Sequence, residues 1–506
     1  MSGMEPILAI KKDVLLKAVA CVFLLSMYFL RISNNIVDLD LWHQMALIRE
    51  AIALGHIPLE DRFAYTPTIF PSVHHEWGAG MIAYFSATRF GALGILAVKY
   101  LLALCIAVFS LLCLKKRSVS KEVLIFLVPI GIMLIGKGFS TIRGQMYSLT
   151  VVACLLWFLE LDQNRNRLWI AAWIPLYLIW INIHAGFLVG IGLFGAYWLE
   201  QLLRGKPSAH LVLLCIAMLG LIAVNPYGID YFLYLWRAIT MPRPYVTEWY
   251  PIWSGLELPH LSAFLVSLIL FTYSIKKIGI RKARGIVLVL TTCLSSIFCT
   301  RLVLFYAIAW TCFVPGYVQR TPMGNLMNRV VKKFSKFLVV FLCVASVVIS
   351  VRALSFRPWE LLVPGGHIKK YGHHAFYPVG PVDYLSEVSF KGNLMVFFDW
   401  GSYVTWKLYP KVRVSMDSRY EAAYPEWLVE ENVRFYLAKE GWQRTLSKYP
   451  TDLVLVYKKL PLARVMPQQS EWKKVYTDKI FELYARPGLT LPAVDWTGRV
   501  FVGTFP

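Results

Sequence analysis

The sequence predicts a polytopic α-helical membrane protein with about eleven transmembrane helices and a small α/β domain at its C-terminal end. Three observations predict this class. Hydrophobic residues make up 57% of the 506 residues and charged residues only 16%, whereas soluble domains average about 50% and about 25%. The apolar residues form blocks long enough to cross a bilayer, and residues 354–506 have the mixed composition of a soluble domain.

The apolar blocks predict the membrane helices, because a helix needs about 20 apolar residues to cross the hydrocarbon core. The predicted spans are 14–32, 92–114, 122–138, 146–161, 168–184, 186–203, 209–224, 260–275, 285–300, 302–318 and 336–353. The two blocks that meet around Cys299, Thr300 and Arg301 are short, so ten or twelve spans also fit.

The formal net charge of +22 comes from 52 Lys and Arg against 30 Asp and Glu. Most of this excess lies in alternate short loops, as the positive-inside rule requires of cytoplasmic loops. These loops include Lys11, Lys12, Lys115, Lys116, Arg165, Arg167, Lys276, Lys277, Lys332 and Lys333. The bias predicts a cytoplasmic N-terminus and an extracytoplasmic C-terminal domain. The basic residues then face the lipid head groups of the membrane, and no nucleic-acid partner is expected.

The chain is predicted to divide into a membrane domain, residues 1–353, and the α/β domain, residues 354–506. In the second domain, alternating or continuous apolar runs predict strands. The expected strands are 393–398, 412–416 and 452–457, with a helix over 426–440 and a closing strand pair within 472–484.

Two predicted outer loops, 33–91 and 225–259, are too long to be simple connections. The first opens with Asp38-Leu-Asp-Leu-Trp-His43, after which apolar residues at helical spacing predict an amphipathic helix that lies in the membrane interface and ends at Gly55. Asp40 suits the N-cap of this helix, which leaves Asp38 without a structural role. Alternatively, one of these carboxylates is a general base for a hydroxyl near the lipid head groups.

Further candidate residues follow in the outer segments. His74, His75 and Glu76 are suited to a metal, a phosphate or acid–base work, or they simply precede a helix that carries Trp77. Arg143 and Arg301 lie at the outer ends of spans, where a lone Arg is usually a membrane anchor. Together they would suit a lipid phosphate. The segments 182–184 and 225–228 are further positions suited to anions or sugars.

These motifs resemble those of the GT-C glycosyltransferases, in particular bacterial lipopolysaccharide-core galacturonosyl transferases and protein mannosyltransferases. The matching residues form Asp38-Leu-Asp-Leu-Trp-His43, Gly55-His-Ile-Pro58, Phe63-Ala-Tyr-Thr66, His75-Glu-Trp77, Ile142-Arg-Gly-Gln145, Asn182-Ile-His184, Asn225-Pro-Tyr-Gly228, Phe398-Asp-Trp-Gly-Ser-Tyr403 and Met416-Asp-Ser-Arg419. The chain departs from the family at Leu39 and Gly144, where relatives often carry proline. Both changes leave the charged groups in place.

The resemblance implies a GT-C fold and transfer of a sugar from a polyprenyl-phosphate donor to an acceptor hydroxyl, with inversion. It implies that Asp40, or else Asp38, is the general base. His43, His75 and Glu76 would orient the acceptor or share the acid–base work. Arg143 and Arg301 would bind the leaving phosphate.

The implied acceptor is a glycolipid, a glycan or a protein, and the implied location is the bacterial inner membrane. Asp399, Trp400 and Arg419 of the outer domain would bind the acceptor or serve a structural role. The cysteines show no metal-type spacing, and a divalent metal cofactor stays open.

Two other functions fit the pattern. One is a lipid or glycan transporter or flippase, and the other is a non-catalytic subunit with a GT-C-like fold. Transporters usually carry charged groups or broken helices near the bilayer midplane. Here the candidate groups gather on one side and the predicted spans contain few acidic residues, which favours the transferase.

Overall fold

The computed structural model describes residues 4–135, 143–163, 166–366 and 376–506, with side chains from Val14 onward. Several predictions concern other parts of the chain. The end of the span 122–138, Ile142 of the motif before Gln145, Arg165 and the side chains of Lys11 and Lys12 lie outside the described residues.

Each of the predicted spans contains a helix within these described ranges. The helices are α1 (Met4–Ile32), α2 (Leu39–Leu54), α3 (Trp77–Lys116), α4 (Lys121–Leu134), α5 (Gly144–Asp162), α6 (Trp169–Ile183), α7 (Phe187–Leu203), α8 (Ala209–Leu221), α9 (Asp230–Thr240), α10 (Ile252–Gly255), α11 (Leu258–Ile278), α12 (Ile286–Phe298), α13 (Val303–Val318), α14 (Pro322–Lys333), α15 (Ser335–Leu354), α16 (Val379–Glu387), α17 (Phe398–Leu408), α18 (Glu426–Tyr436), α19 (Arg444–Lys448) and α20 (Leu462–Val465).

Six helical segments in the described residues are long and apolar enough to cross a membrane: Val14–Ile32, Trp77–Lys116, Gly144–Asp162, Leu258–Ile278, Thr300–Val318 and Ser335–Leu354. Helices α6, α7, α8 and α12 are apolar but shorter. This composition confirms a multi-pass helical membrane protein.

Helix α3 contains a break that separates an outer-loop helix from a predicted span. Gly91 has φ 59° and ψ −143°, a conformation open almost only to glycine. The segment that starts at Trp77 therefore ends before the predicted span 92–114 begins. A separate helix carrying Trp77 is confirmed.

The structure divides into two compact units that do not follow chain order. The first unit contains Met1–Asn35, Leu96–Leu221 and Pro242–Glu360. The second unit contains Ile36–Ile95, Ile222–Met241 and Leu361–Pro506. The second unit therefore combines most of the first predicted outer loop and part of the second with the C-terminal domain.

In the first unit, α13 is buried along its whole length, and α4, α5, α11 and α12 pack around it. A helix that is apolar on all sides suits this central position. The few polar tips on α13 are satisfied inside the unit. Trp310 Nε1 donates to the Ser267 carbonyl at 3.0 Å, and the Tyr306 hydroxyl lies 3.0 Å from Ser267 Oγ.

In its described residues, the second unit contains a six-stranded mixed sheet and a two-stranded ribbon. The strands are β1 (Val363–Pro364), β2 (Gly392–Met395), β3 (Val412–Val414), β4 (Leu453–Tyr457), β5 (Lys473–Thr477), β6 (Phe481–Ala485), β7 (Val494–Asp495) and β8 (Val502–Gly503). The sheet order is β3-β2-β4-β6-β5-β7, and β1 pairs with β8. Strands β3, β2 and β4 are parallel, while β6 is antiparallel to both of its neighbours.

The predicted α/β domain is confirmed, with β2, β3 and β4 in the three predicted strands, α18 in the predicted helix, and β5 and β6 as the closing pair. The predicted strand 393–398 is shorter than expected, because the chain leaves the sheet after Met395 and α17 begins at Phe398.

Candidate functional site

The first carboxylate of the outer-loop motif caps α2. Asp38 is the N-cap, with φ −78° and ψ 147°, and its Oδ1 accepts a hydrogen bond from the Asp40 backbone N–H at 3.1 Å. The prediction that Asp40 is the N-cap is therefore wrong. Asp40 instead lies in the first turn of α2, where its side chain keeps 31% of its surface exposed. Capping accounts for Asp38 and leaves Asp40 available for other chemistry.

Helix α2 ends at the expected place, with Gly55 at φ 78° as its C-cap. The expected amphipathic character is not observed. The eight consecutive residues from Leu41 to Ile48 are all buried, because α17 and other parts of the second unit surround this half of the helix. Apolar residues do recur at helical spacing in α2, but tertiary packing also buries the polar residues that lie between them.

Asp40 is linked to a buried ionic cluster through His43. His43 Nε2 lies 3.7 Å from Asp40 Oδ1, and the imidazole is buried. Burial opposes the ionisation of Asp417, but Arg419 and His43 outweigh it and lower the pKa of this carboxyl group. His43 thus lies between an exposed carboxylate and a buried one.

Arg419 holds the buried end of this cluster. Its Nε donates to Asp417 Oδ1 at 2.8 Å, its Nη2 donates to Asp417 Oδ2 at 2.7 Å, and its Nη1 donates to Asp61. The Arg419 side chain is 1% exposed, and both carboxylate side chains are fully buried. The guanidinium of Arg419 is therefore shared by two buried carboxyl groups, those of Asp417 and Asp61.

The sheet topology explains why Asp399, Asp417 and Arg419 lie on one side of the second unit. Asp399 follows β2 and Asp417 follows the adjacent parallel strand β3. The carboxyl ends of parallel strands meet at one edge of a sheet, where α/β proteins usually bind ligands. The sequence segment with Phe63 and Ala64 joins the same edge, since Ala64 pairs with Val414 and the Val414 N–H donates to the Phe63 carbonyl at 3.0 Å.

The two tail motifs pack directly on each other. A Cβ atom on Gly401 would lie 1.9 Å from the Met416 carbonyl oxygen, so only glycine allows this approach. One turn of α17 is then held by Ser402, whose Oγ lies 2.8 Å from Ser418 Oγ. Burial and the neighbouring Asp40 carboxylate raise the pKa of Asp399 to about 7.

His75 and Glu76 each have a partner within the second unit. The Tyr234 hydroxyl lies 2.6 Å from His75 Nδ1, and the two rings stack with centroids 5.0 Å apart. Glu76 accepts a hydrogen bond from Gln44 Nε2 and lies 3.6 Å from His75 Nε2. Both residues therefore connect α2 and α9 to the start of α3.

His74 is buried beside the ionic cluster. Burial, Arg419, His43 and His75 lower its pKa well below the usual value, so this imidazole is neutral. Across the described residues, no group of three or more His, Cys, Asp or Glu side chains is arranged to hold a metal ion.

The two arginines proposed for phosphate binding belong to the first unit. Arg143 precedes α5 and pairs with Glu248. Arg301 lies over the ring of Trp249 at 5.8 Å from its centroid, and Arg243 lies over the same ring at 4.2 Å. Gln145 Nε2 donates to the Arg301 carbonyl at 3.1 Å, so the segment after Arg143 and the residue Arg301 are directly linked.

Some predicted ligand-binding side chains serve local structure. His184 Nδ1 lies 2.7 Å from Ser148 Oγ and accepts the Gly186 N–H at 2.8 Å. Asn225 Oδ1 accepts the Tyr227 N–H at 2.7 Å, which stabilises the turn that follows α8. Asp61 and Tyr234 lie in none of the predicted motifs, and each is identified only by its partner in space.

No protein-family model and no curated protein matches the chain. Among solved structures, the chain is similar to the crystal structure of ArnT from Cupriavidus metallidurans in the apo state. The TM-score is 0.47 and the sequence identity is 12%, over 94% of this chain and 98% of that chain. A likeness of this size shows neither the family nor the activity of this chain.

Proposed function

We propose that this protein is a membrane glycosyltransferase of the GT-C type, with Asp40 as the general base. The reaction would transfer a sugar from a polyprenyl-phosphate donor to an acceptor hydroxyl of a glycolipid, a glycan or a protein. It would take place at the outer face of a bacterial inner membrane, with the N-terminus in the cytoplasm.

One observation carries the proposal. Asp40 is a part-exposed carboxylate that neither caps its helix nor pairs with a basic Lys or Arg among the described residues, and it lies beside the imidazole of His43. A carboxylate that acts as a general base must be open to a substrate and held in place by its surroundings. Asp38 is less suited, because its Oδ1 already accepts the Asp40 N–H.

The acceptor hydroxyl gives its proton to the Asp40 carboxylate while its oxygen attacks the anomeric carbon from the face opposite the phosphate. The bond between that carbon and the phosphate oxygen breaks, the bond electrons leave with the lipid phosphate, and the configuration inverts. Cationic side chains stabilise the charge that develops on the phosphate.

Arg301 suits this cationic role better than Arg143, because Arg143 already pairs with Glu248 and would need to exchange this carboxylate for a phosphate. His43 holds the Asp40 carboxylate in place. His75 and Glu76 shape the same unit from the neighbouring segment and would orient the acceptor.

The test is transfer of labelled sugar in membranes that contain the full chain, with a panel of polyprenyl-phosphate-linked hexoses, pentoses and uronic acids as donors. We expect Asp40→Asn to reduce the rate by about 10²–10⁴-fold, the usual contribution of a positioned general base. Asp38→Asn keeps the N-cap and should change the rate by only a few-fold. Asp383→Asn, in the exposed part of α16, is the matched control.

The outcomes separate the candidates. An inactive Asp38→Asn variant beside an active Asp40→Asn variant would move the base to Asp38. Full activity in both variants, with an active wild type, would remove the carboxylate mechanism altogether. Substrate-dependent movement of a lipid or glycan across the membrane, without transfer, would instead support the transporter.

A further inference from the structure

Two adjacent residues of the first unit, Glu248 and Trp249, contact three arginines from three separate segments of the chain. Arg143 Nη1 donates to Glu248 Oε1 at 2.5 Å. The guanidinium carbon of Arg243 lies 4.2 Å from the centre of the Trp249 ring, and that of Arg301 lies 5.8 Å from the same centre. The side chains of Glu248 and Trp249 therefore bring three guanidinium groups to one place.

Hydrogen bonds connect the segments that carry these side chains. The Tyr250 hydroxyl donates to the Pro244 carbonyl at 2.7 Å, which closes the loop before and after Glu248. The Thr300 N–H and hydroxyl both donate to the Tyr250 carbonyl, at 2.9 Å and 2.8 Å. Gln145 Nε2 donates to the carbonyl of the next residue, Arg301, at 3.1 Å. The backbone around the cluster is therefore held together from all three segments.

The four charged side chains carry a surplus of positive charge, since they comprise three guanidinium groups and one carboxylate. The carboxylate of Glu248 pairs with Arg143. Arg243 is buried, with 9% of its surface exposed, and a contact with a ring does not by itself occupy the N–H donors of a guanidinium. In the described part of the chain, Arg301 forms no ion pair. A surplus of positive charge with limited access to water is stabilised by a bound anion.

From this cluster we propose that the guanidinium groups of Arg143, Arg243 and Arg301 form one binding site for the phosphate of an isoprenoid lipid. Glu248 is the internal anion of this site, and the arriving phosphate displaces it from Arg143. The role rests on the proposed function, because it assumes a donor with a lipid-linked phosphate. Nothing in the sequence motifs or the comparisons assigns this role to Glu248.

The chemistry of the cluster suits a phosphate better than a carboxylate. A guanidinium presents N–H donors in a planar fork that matches the oxygens of a phosphate. A phosphate monoester has three terminal oxygens, so one phosphate can accept hydrogen bonds from several guanidinium groups at once. A carboxylate has two oxygens, and that of Glu248 pairs with Arg143. The phosphate thus replaces one ion pair by a larger set of contacts.

The exposure of the Glu248–Arg143 pair allows this exchange. The Glu248 side chain keeps 39% of its surface exposed, whereas that of Arg143 keeps 15%. Water screens an ion pair with a part-exposed partner, so the pair contributes little to stability and opens at low cost. The carboxylate can turn towards water while the guanidinium stays in place.

The exchange also affects the release of the product. When the bond between the sugar and the phosphate breaks, the lipid phosphate gains a second negative charge, which strengthens its attraction to the arginines. The return of Glu248 to Arg143 competes with this phosphate and favours its release. Loss of the carboxylate should therefore tighten the binding of the lipid phosphate and increase product inhibition.

The binding test uses farnesyl phosphate, a short isoprenoid phosphate, and the full chain in detergent, with farnesol as the control that lacks a phosphate. We expect Glu248→Gln to lower the Kd for farnesyl phosphate by about 2–5-fold, the effect of a part-exposed ion pair that no longer competes. Arg243→Gln and Arg301→Gln should each raise the Kd by about 10-fold or more, since each removes a charged donor. Glu257→Gln, at an exposed position before α11, is the matched control and should leave the Kd unchanged.

A double-mutant cycle separates the exchange from a general effect of negative charge. In an Arg143→Gln chain, Glu248 has lost the guanidinium for which it competes, so the gain in affinity from Glu248→Gln should disappear. Glu248→Asp is a second variant that keeps the charge. Its shorter side chain reaches Arg143 less well and should lower the Kd in the same direction. The melting temperature of each variant without ligand shows whether it is folded.

The outcomes are distinct. An unchanged or raised Kd in Glu248→Gln, or an equal gain with and without Arg143, would overturn the exchange. Equal binding of farnesyl phosphate and farnesol would overturn the phosphate site. Equally strong competition by inorganic phosphate, or by phosphatidylglycerol, would assign the site to free phosphate or to a membrane head group and overturn its link to the donor. Binding as expected in a chain that transfers no sugar would overturn the proposed function, while the phosphate site and its internal anion would stand.

Discussion

Replacing Arg419 by leucine should destabilise the second unit more than any other single charge removal in its buried cluster. Arg419 makes three hydrogen bonds to Asp417 at 2.7–3.0 Å, one to Asp61 and one to Tyr424. Without the guanidinium, both carboxylates stay buried without a cation. Breaking a buried pair from one side costs about 3–5 kcal/mol in the free energy of unfolding, which lowers the melting temperature by roughly 6–20 °C for a unit of this size.

The assay is thermal unfolding of the full chain in detergent, followed by near-ultraviolet circular dichroism. Arg413→Leu is the matched control, because Arg413 is an exposed residue of β3 and its loss should change the free energy of unfolding by no more than about 0.5 kcal/mol. The melting temperature of Arg419→Lys should lie between those of Arg419→Leu and Arg413→Leu, since a lysine keeps the charge but loses the forked geometry of the guanidinium.

The pH dependence of this penalty has a defined sign. Arg419 lowers the pKa of Asp417 in the folded state, so its stabilisation is present above the unfolded pKa and is lost as the pH falls through the folded pKa. The difference between wild type and Arg419→Leu should therefore shrink in acid, where the freed carboxylates bind protons. Equal melting temperatures for Arg419→Leu and Arg413→Leu at neutral pH would refute the structural role of the cluster.

Three further predictions concern the same unit. Gly401→Ala should lower the free energy of unfolding by about 1–3 kcal/mol, because its Cβ would meet the Met416 carbonyl at 1.9 Å. Gly498→Ala should be tolerated, since no heavy atom lies within 4 Å of the added Cβ, and equal denaturant midpoints for the two variants would contradict this prediction. In chemical denaturation, Asp38→Ala should lower the free energy of unfolding by about 1 kcal/mol through loss of the N-cap, and Asp38→Asn by only a few tenths. Equal losses of stability in the two variants would show that Asp38 does not stabilise the protein as an N-cap. Since burial lowers the pKa of His74, the unfolded chain binds more protons than the folded chain, and stability should fall as the pH drops below about 6.5. His74→Gln should weaken this fall in a pH series of melting temperatures, and an unchanged dependence of the melting temperature on pH would exclude His74 as its source.

The sequence predicts which segments contribute to the candidate site, but not the contacts that individual residues make there. The motif around Asp38 and Asp40 predicted the start of α2, yet the cap was assigned to the wrong aspartate. Both residues have the chemistry of an N-cap, and they are only two positions apart. The choice depends on where α2 begins, and in the structure it begins at Leu39, with Trp42 packed against Tyr377 and Tyr403.

The sequence did not predict contacts between residues that are far apart in the chain. Asp61 and Arg419 are separated by 358 positions and His75 and Tyr234 by 159. Neither Asp61 nor Tyr234 has a local pattern that marks it. Such pairs are specified by the fold of the second unit and not by spacing.

The sequence by itself determined the apolar helices and the strands of the C-terminal domain. These follow from local properties, since an apolar block of sufficient length or an alternating run has few other stable conformations in its solvent. Only the tertiary structure decided that the outer-loop segments share a unit with the tail and that α2 is buried on all sides from Leu41 to Ile48. The physical reason is that burial and the partner of a charge depend on what packs against a residue, and those partners come from chain segments hundreds of residues apart.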